Sequence, residues 1–371
     1  MTSREKEIYL LIKDDPMITQ EEIAEQLGIS RSAVSVHISS LLRQRALRGR
    51  GYVINEEDYH VVIGTAGIDF MGTTERELSD SVTDQIINYY GQINVRFGGA
   101  ANNIAEALCR LRENVRLMAT ISSDMFGRQV KEHLDEFHIN SDDCLYISDM
   151  PQSVMIQIRN ETLNQHTGMV NYYSEGRMTP EFFASKKQML RNARSLVITD
   201  IISPESADHL LSAYAELDSW FIFSGVCSRL DVIGKIGCRA RHIYLNLRAA
   251  AYLTEMPLTA AWEAVGYKLR DLGIREAFVS CDNQEIMHVT PDSCLRYPTI
   301  PGTKSDSERN KDLFAAGLIA TSGSDMNMEK RIRFASVVSQ LGRKTENSPN
   351  SFHRELVEQE MARYDGAKKQ L

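Results

Sequence analysis

Long apolar runs are missing from the 371-residue sequence, and no stretch approaches the roughly 18 apolar residues that a helix needs to cross a bilayer. The opening residues, MTSREKEIYLLIKDDP, interleave charged with apolar side chains and lack the apolar core of a signal peptide. Hydrophobic residues make up 43 % and charged residues 25 %, which excludes a disordered or fibrous chain. We therefore expect a water-soluble, cytoplasmic protein of two or three domains with no membrane partner.

Cysteine is sparse, and no CxxC pair or closely spaced set of cysteines and histidines occurs. This spacing excludes a zinc ribbon or a disulfide framework and predicts reduced, mostly buried thiols with no metal site. The six cysteines are Cys109, Cys144, Cys227, Cys238, Cys281 and Cys294.

Acidic residues are missing from residues 31–50, although the whole chain has a formal net charge of −8. This segment contains five arginines: Arg31, Arg43, Arg45, Arg48 and Arg50. A local basic face matters more for DNA binding than the charge of the whole chain. The segment is therefore a candidate DNA-binding surface.

The same region has the pattern of three short helices. Apolar residues at helical spacing predict a first helix over 3–13, which Pro16 ends. Thr19 and Glu22 fit a capping box at the start of a second helix, and Gly28 predicts the turn that follows it. The third helix has an apolar stripe formed by Val34, Ile38, Leu41 and Leu42.

Three helices with a glycine turn, followed by a basic turn at Arg48-Gly49-Arg50, resemble a winged helix-turn-helix DNA-binding domain over about residues 1–55. The resemblance implies that the third helix enters the major groove of double-stranded DNA. The implied contacts are made by Arg31, Ser32, Ser35, Arg48 and Arg50. The alternative is a dimerisation or docking module with a solvated arginine face. We favour DNA binding because the serine-rich, acid-free face has no evident packing purpose.

Residues 58–371 alternate short β-type runs with helical stretches. The predicted strands are 60–64, 116–119, 195–198, 243–245 and 277–279. This alternation predicts a doubly wound parallel sheet covered by helices on both faces.

Two segments of this region carry more than fold information. The first, FGGAANNIAEAL (residues 97–108), is a glycine pair that leads into an alanine-rich helix, where a ligand can approach the backbone. The second, DSERNKDLFAAG (residues 306–317), is a polar loop that runs into a helix of small residues.

In this order, about 200 residues apart, the two segments resemble the signatures of the ribokinase-like (PfkB) sugar and nucleoside kinases. The resemblance covers roughly residues 60–345 and implies a Rossmann-like core with a small β lid that includes residues 153–173. It implies that Asp312 is the catalytic base and that Asn246 lies at the nucleotide site. The substrate pocket is implied at Asp69, Gly98, Gly99 and Asn103.

The sequence departs from the family at functional positions. Arg309, Asn310 and Lys311 replace the Gly-Ala-Gly that precedes the catalytic Asp, so the glycine anion hole is lost. Ala249 stands where the family has a Glu of its magnesium network, and Gly67 replaces an Asn. Ser305 and Glu308 have capping-box spacing, which predicts that the helix begins a turn early and abolishes the phosphate cradle. We interpret Arg309 and Lys311 either as ligands of an anionic group such as a sugar phosphate or as solvated side chains.

Two functions from different classes follow. In the first, a DNA-binding domain (1–57) is joined to a sugar-kinase-like domain (58–371) that senses a sugar, nucleoside or sugar phosphate, as a homodimeric transcriptional regulator. In the second, the protein is an ATP- and Mg²⁺-dependent sugar or nucleoside kinase with an autoregulatory DNA-binding domain. The departures favour the regulator, whereas Asp312 and the glycine pair favour the kinase. A kinase whose amino-terminal module only dimerises is a third alternative.

Overall fold

The protein is described here by a computed structural model. It describes the chain except residues 16–17, 45, 48–57, 79–87, 161, 164, 172–175, 200, 224–233, 235, 282–284, 301–307, 345–351 and 369–371, and it leaves out a few side chains at element ends. The described chain divides into two compact units, Met1–Asp58 and Tyr59–Leu371. No helix among the described residues is long and apolar enough to cross a membrane.

The first unit consists of three helices: α1 (Ser3–Asp14), α2 (Gln20–Leu27) and α3 (Arg31–Arg43). The predicted capping box is confirmed, because the Glu22 amide donates to Thr19 Oγ1 and the Thr19 amide donates to the Glu22 carboxylate. Gly28 ends α2 with φ of 61°, a left-handed conformation that glycine adopts without strain. Ser30 then caps α3. Local sequence signals thus position each helix boundary.

The core of this unit is formed by one face of each helix. Its buried side chains are Ile8, Ile12, Ile18, Ile23, Ala24, Val34, Ile38, Leu41 and Leu47. The prediction for Leu42 is wrong, since its side chain is exposed. Leu42 follows Leu41 by one residue, about 100° around the helix, so only one of the two can face the core. The predicted basic turn lies outside the described residues.

The second unit is built on a nine-stranded sheet and a four-stranded sheet. The strands are β1 (Tyr59–Gly64), β2 (Gly67–Thr74), β3 (Gly91–Gly98), β4 (Asn114–Ser122), β5 (Leu145–Ile147), β6 (Val154–Asn160), β7 (Gln165–Val170), β8 (Ser195–Thr199), β9 (Asp218–Ile222), β10 (His242–Asn246), β11 (Ala277–Cys281), β12 (Glu285–Val289) and β13 (Cys294–Pro298). All five predicted strands are found.

The large sheet has the order β13-β12-β11-β10-β9-β8-β1-β4-β5. The seven neighbouring strands from β11 through β10, β9, β8, β1 and β4 to β5 are parallel. Strands β12 and β13 add an antiparallel edge beside β11. Apolar residues fill both faces of the parallel strands, as expected when helices cover both faces.

The helices of this unit lie on the two faces of the large sheet. They are α4 (Ala100–Arg110), α5 (Met125–Glu136), α6 (Pro180–Ser185), α7 (Lys187–Asn192), α8 (Pro204–Ala213), α9 (Leu247–Leu253), α10 (Trp262–Asp271), α11 (Glu308–Ala320), α12 (Met328–Lys344) and α13 (Arg354–Lys368). One apolar core contains α4, α5 and α11 to α13, and the other contains α6 to α10. The predicted doubly wound architecture is therefore confirmed.

The small sheet, with the order β3-β2-β6-β7, is called the lid sheet below. Strand β2 follows the end of β1 after two residues, and β3 leads directly into α4. The predicted lid strands of residues 153–173 are β6 and β7. The lid sheet is thus joined to the carboxyl end of a central strand and to the start of α4, where ligands of open α/β sheets bind.

Candidate functional site

The glycine pair lies where the lid sheet meets α4. A Cβ on Gly99, which has φ of 91°, would lie 2.5 Å from the Thr65 carbonyl oxygen. A Cβ on Gly98 would lie 2.3 Å from the carboxyl atoms of Asp69. Gly99 therefore requires glycine, and any side chain at Gly98 would displace the Asp69 carboxylate, which lies close to the start of α4.

Asp312 and Asn103 meet across 209 residues of sequence. Helices α4 and α11 pack together, and Asn103 Nδ2 donates a hydrogen bond of 2.9 Å to Asp312 Oδ2. Both side chains are buried, and Asp312 is only 2 % exposed. Asn103 lies at the end of the first turn of α4, where its backbone N–H donates to the Gly99 carbonyl. The structure thus places these residues next to one another as a candidate site: Asp69, Gly98, Gly99, Asn103 and Asp312.

The residues that replace the family's glycines are helical. Helix α11 begins at Glu308, so Asp312 lies in its second turn. Asn310 is buried, and its carbonyl accepts a hydrogen bond from Ser339 Oγ. Lys311 is half-buried. Ser305 and the Arg309 side chain lie outside the described residues. A helix start still presents backbone N–H donors, but a helix replaces the glycine loop.

Two of the departures have packing explanations. A Cβ on Gly67 would lie 2.4 Å from the Ser153 carbonyl oxygen, so the lid sheet excludes the family's Asn here. Asn246 caps α9, because its Oδ1 accepts a 2.7 Å hydrogen bond from the Ala249 amide. Ala249 is buried in an apolar core, where a Glu would place an unfavourable carboxylate. Helix capping therefore accounts for Asn246 without a nucleotide.

Arg96 is a site residue that the sequence did not reveal. It lies opposite Asp69 in the pairing of β2 with β3, and Arg96 Nε donates to Asp69 Oδ2 at 3.3 Å. The two side chains are 11 % and 9 % exposed. Arg96 precedes Gly98 by two residues on one strand, so the two lie on the same face. The two-residue spacing between Arg96 and Gly98 could have indicated that Arg96 lies at the site. Using this signal required the knowledge that residues 91–98 form a strand, which the sequence pattern did not predict.

The candidate DNA-binding face lies on α3. Arg31 is 68 % exposed, and its Nε lies 2.9 Å from Glu21 Oε1 of α2. Ser32 and Ser35 are exposed, and the Ser32 hydroxyl lies 2.9 Å from that of Ser30. Val36 adds an exposed apolar side chain to this face. Arg48 and Arg50 lie outside the described residues.

A second ionisable cluster lies at the opposite ends of the parallel strands. The imidazole of His242 bonds to Asp218 at 2.7 Å and to Glu276, and Glu276 also bonds to His288 at 2.7 Å. Burial opposes charge on Glu276, but hydrogen bonds from His242 and His288 outweigh it and lower the pKa of Glu276 to about 2. Burial likewise disfavours charged His242, yet its carboxylate partners raise the His242 pKa. The cluster joins the starts of β9, β10 and β11.

The described cysteines carry little reactivity. Cys109, Cys144, Cys238 and Cys294 are free thiols. Burial raises the pKa of Cys109 and of Cys144 to about 12, which suppresses the reactive thiolate.

Comparison with known proteins gives a match to each unit. A winged helix-turn-helix DNA-binding model matches residues 1–45, and a pfkB family carbohydrate kinase model matches residues 57–353. The chain is 26 % identical to a protein named uncharacterized sugar kinase YeiI of Escherichia coli (strain K12), over 92 % of this chain and 94 % of that protein. It is 24 % identical to the pseudouridine kinase of the same organism over 44 % of this chain and 51 % of that protein.

The fold is shared with solved ribokinases. An Arabidopsis thaliana ribokinase complexed with ribose and ATP superposes with a TM-score of 0.70 at 17 % identity, covering 82 % of this chain and 98 % of that one. At this identity the likeness concerns the fold alone.

Proposed function

Because this chain belongs to the pfkB family of carbohydrate kinases and carries a winged helix-turn-helix domain, we propose that it is a DNA-binding transcriptional regulator. In this proposal, residues 1–57 bind double-stranded DNA. Residues 58–371 sense a sugar, nucleoside or sugar phosphate at a site whose phosphoryl-transfer machinery is degenerate. Asp69, Gly98, Gly99 and Asn103 would line the ligand pocket.

The single observation that carries the proposal is the setting of Asp312. A catalytic base must lie within hydrogen-bond reach of the hydroxyl proton that it removes. Asp312 is 2 % exposed, and its carboxylate accepts a hydrogen bond from Asn103. The preceding residues form a helix instead of a glycine loop that would cradle the transferred phosphoryl group. This arrangement favours retained binding over turnover, since one lost oxyanion donor costs about 10²- to 10³-fold in an acyl-transfer enzyme.

The residues at the magnesium position do not fit the family's metal network. Ala249 has no ligand atom in its side chain, and the Asn246 oxygen is engaged in capping α9. Within the described ranges, no group of three or more His, Cys, Asp or Glu side chains could hold a metal ion. Lys311 and the backbone N–H groups at the start of α11 are suited to bind ATP phosphates. ATP and Mg²⁺ therefore remain the cofactors of the second candidate function.

That second candidate is an active ATP-dependent sugar or nucleoside kinase. It is favoured by Asp312, by the glycine pair, and by the backbone N–H donors at the start of α11. The deciding experiment measures ADP release from ATP and Mg²⁺ by the full chain across pentoses, hexoses, nucleosides and their phosphates. Asp312→Asn is the inactive control. Ligand-induced thermal shifts without ADP release support the regulator, whereas turnover that Asp312→Asn abolishes establishes the kinase.

Lys311 and Arg309 are proposed to hold an anionic group at the former γ-phosphate position. Lys311→Gln should then weaken binding of a phosphorylated sugar more than binding of its neutral counterpart, measured by titration calorimetry. Equal affinities in wild type and variant for every phosphorylated sugar would mean that Lys311 points into solvent instead.

DNA binding through Arg31 and Arg48 is tested by its salt dependence. Each lost phosphate contact should lower the slope of log K against log salt by about 0.9. Replacing both residues by alanine should therefore lower it by about 1.8 per bound helix-turn-helix unit. Arg4→Ala is the matched control, because Arg4 is an α1 arginine paired with Glu7. An unchanged slope in the double variant would contradict phosphate contacts by these arginines.

A homodimer completes the proposal, because helix-turn-helix proteins commonly read two half-sites about one helical turn apart. The apolar face of the lid sheet supports it: exposed apolar side chains flank a groove of about 300 Å³ beside Gly72. They are Ile93, Val95, Ile156 and Met169. Sedimentation should show a dimer that Ile93→Asp converts to a monomer. A monomeric wild type would overturn this part of the proposal.

A further inference from the structure

The lid sheet has one polar face, which contains Asp69. Because side chains alternate along a strand, every second residue of β2, β3 and β6 shares this face. The strand register aligns these residues in rows. The rows are Asp69 with Arg96 and Met155, then Met71 with Asn94 and Gln157, then Thr73 with Gln92 and Arg159. In β7 the face continues to His166, opposite Arg159.

Arginines outnumber carboxylates in these rows. Arg96 and Arg159 carry two positive charges, and Asp69 is the one carboxylate among the residues of these rows. Arg159 is half-buried, and its Nε donates a hydrogen bond of 3.0 Å to Gln157 Oε1. Gln157 lies one row nearer to Asp69. No carboxylate of the described chain lies within 4.0 Å of the Arg159 guanidinium. Within these rows, two arginine side chains therefore accompany one carboxylate, with Arg96 beside Asp69 and Arg159 two rows farther along the lid.

A guanidinium beside Asp69 is unexpected if the site binds only neutral hydroxyls. A carboxylate alone accepts hydrogen bonds from sugar hydroxyls, and Arg96 occupies part of that accepting capacity. A partly buried ion pair also carries a desolvation cost that its own attraction offsets only in part. An anionic ligand group changes this balance, because guanidinium forms paired, charge-assisted hydrogen bonds to phosphate and carboxylate oxygens.

We propose that the ligand of this site carries an anionic group, a phosphate or a carboxylate, at the end that faces the lid sheet, and that Arg96 selects it. Asp69 accepts a hydrogen bond from a neighbouring ligand hydroxyl, and Arg159 adds a second positive charge farther along the lid. This inference rests on the proposed function, since it assumes that the kinase-like unit binds a sugar-like ligand.

The test compares matched neutral and anionic probes by titration calorimetry on the full chain. The pairs are ribose with ribose 5-phosphate, glucose with glucose 6-phosphate and with gluconate, and pseudouridine with its 5′-monophosphate. At least one anionic probe should bind at least tenfold more tightly than its neutral partner. The phosphates and gluconate separate the two sources of negative charge.

Variants of Arg96 then locate the recognition. Arg96→Gln should weaken binding of the anionic probe by about 10- to 100-fold, the size expected for a hydrogen bond to a charged group. Binding of the neutral probe should weaken by less than about threefold. Arg96→Lys should restore part of the loss, and Arg239→Gln, at an exposed arginine paired with Asp208, should change nothing. The double variant Asp69→Asn/Arg96→Gln keeps the local net charge, so it should fold and also lose the preference for the anion.

The outcomes separate the two proposals. Neutral probes that bind as tightly as anionic ones overturn the anion inference and leave the ligand-sensing function standing. If Arg96→Gln weakens binding of the anionic and the neutral probe equally, Arg96 only positions Asp69, and the inference is also overturned. Binding of no probe at all contradicts the proposed function, and the inference fails with it.

Discussion

Replacing Glu276 by glutamine should destabilise the second unit strongly at neutral pH. The Glu276 carboxylate bonds to His242 and His288 and joins the starts of three adjacent strands. Its pKa falls from 4.5 to about 2. At about 1.4 kcal/mol per pKa unit, this difference corresponds to about 3 kcal/mol of unfolding free energy at neutral pH. Glu276→Gln removes this charge, so the variant should lose about that amount.

The stabilisation by this cluster should depend on pH in a defined direction. The folded-state pKa of Glu276 is depressed, so its contribution is complete above about pH 4.5 and is lost as the pH falls toward 2. The His242 pKa is raised above 6.5, so its contribution is complete below pH 6.5 and is lost as the pH rises through the folded-state value. The cluster should therefore stabilise the fold most between about pH 5 and 6.5.

Urea unfolding followed by tryptophan fluorescence measures this effect, because both tryptophans, Trp220 and Trp262, belong to the second unit. The free-energy difference between wild type and Glu276→Gln should fall to less than half of its neutral value by pH 3. The control is Glu263→Gln, an exposed carboxylate paired with Arg296, which should leave stability unchanged. A difference below about 0.5 kcal/mol at pH 7, or one that does not shrink in acid, would refute the reasoning.

Three further predictions, which use four substitutions, test the local structure by thermal or urea unfolding. Gly67→Asn should destabilise the second unit by about 1–3 kcal/mol, because its side chain would meet the Ser153 carbonyl; unchanged stability would show that the lid sheet can shift. Thr19→Ala should cost about 1 kcal/mol through loss of the α2 cap, and a neutral result would contradict that role. Leu41→Ala should cost about 2–5 kcal/mol, whereas Leu42→Ala should cost far less; equal losses would contradict the burial difference between these neighbours.

Signals that act over a few residues predicted much of this structure. The capping box at Thr19, the glycine turn at Gly28 and the apolar stripe of α3 define the helical unit, because capping and turn geometry depend on neighbouring residues. Five strands of the large sheet were also predicted, since parallel strands covered on both faces are nearly continuous apolar runs, whereas β9 was missed. Periodicity could not decide between Leu41 and Leu42, since both fit a broad apolar stripe.

The candidate site was predicted in part. The glycine pair and Asp312 were found from their motifs, but their proximity depends on the packing of α4 against α11. The sequence identified Gly67 and Ala249 as departures without their causes. Gly67 lies against the Ser153 carbonyl, and Ala249 is buried in an apolar core, so both causes lie in contacts with other parts of the chain.

By itself, the sequence determined the two-part organisation, the helix boundaries of the first unit and five strands of the nine-stranded sheet, because each depends on local conformational preference and on the period of the apolar residues. Only the tertiary structure decided which polar groups meet. Asn103 contacts Asp312 across 209 residues, and Arg96 meets Asp69 through the register of β2 with β3. The physical reason is that a contact between distant residues depends on how elements pack and in which register strands pair, and neither quantity is encoded in the residues next to the contact.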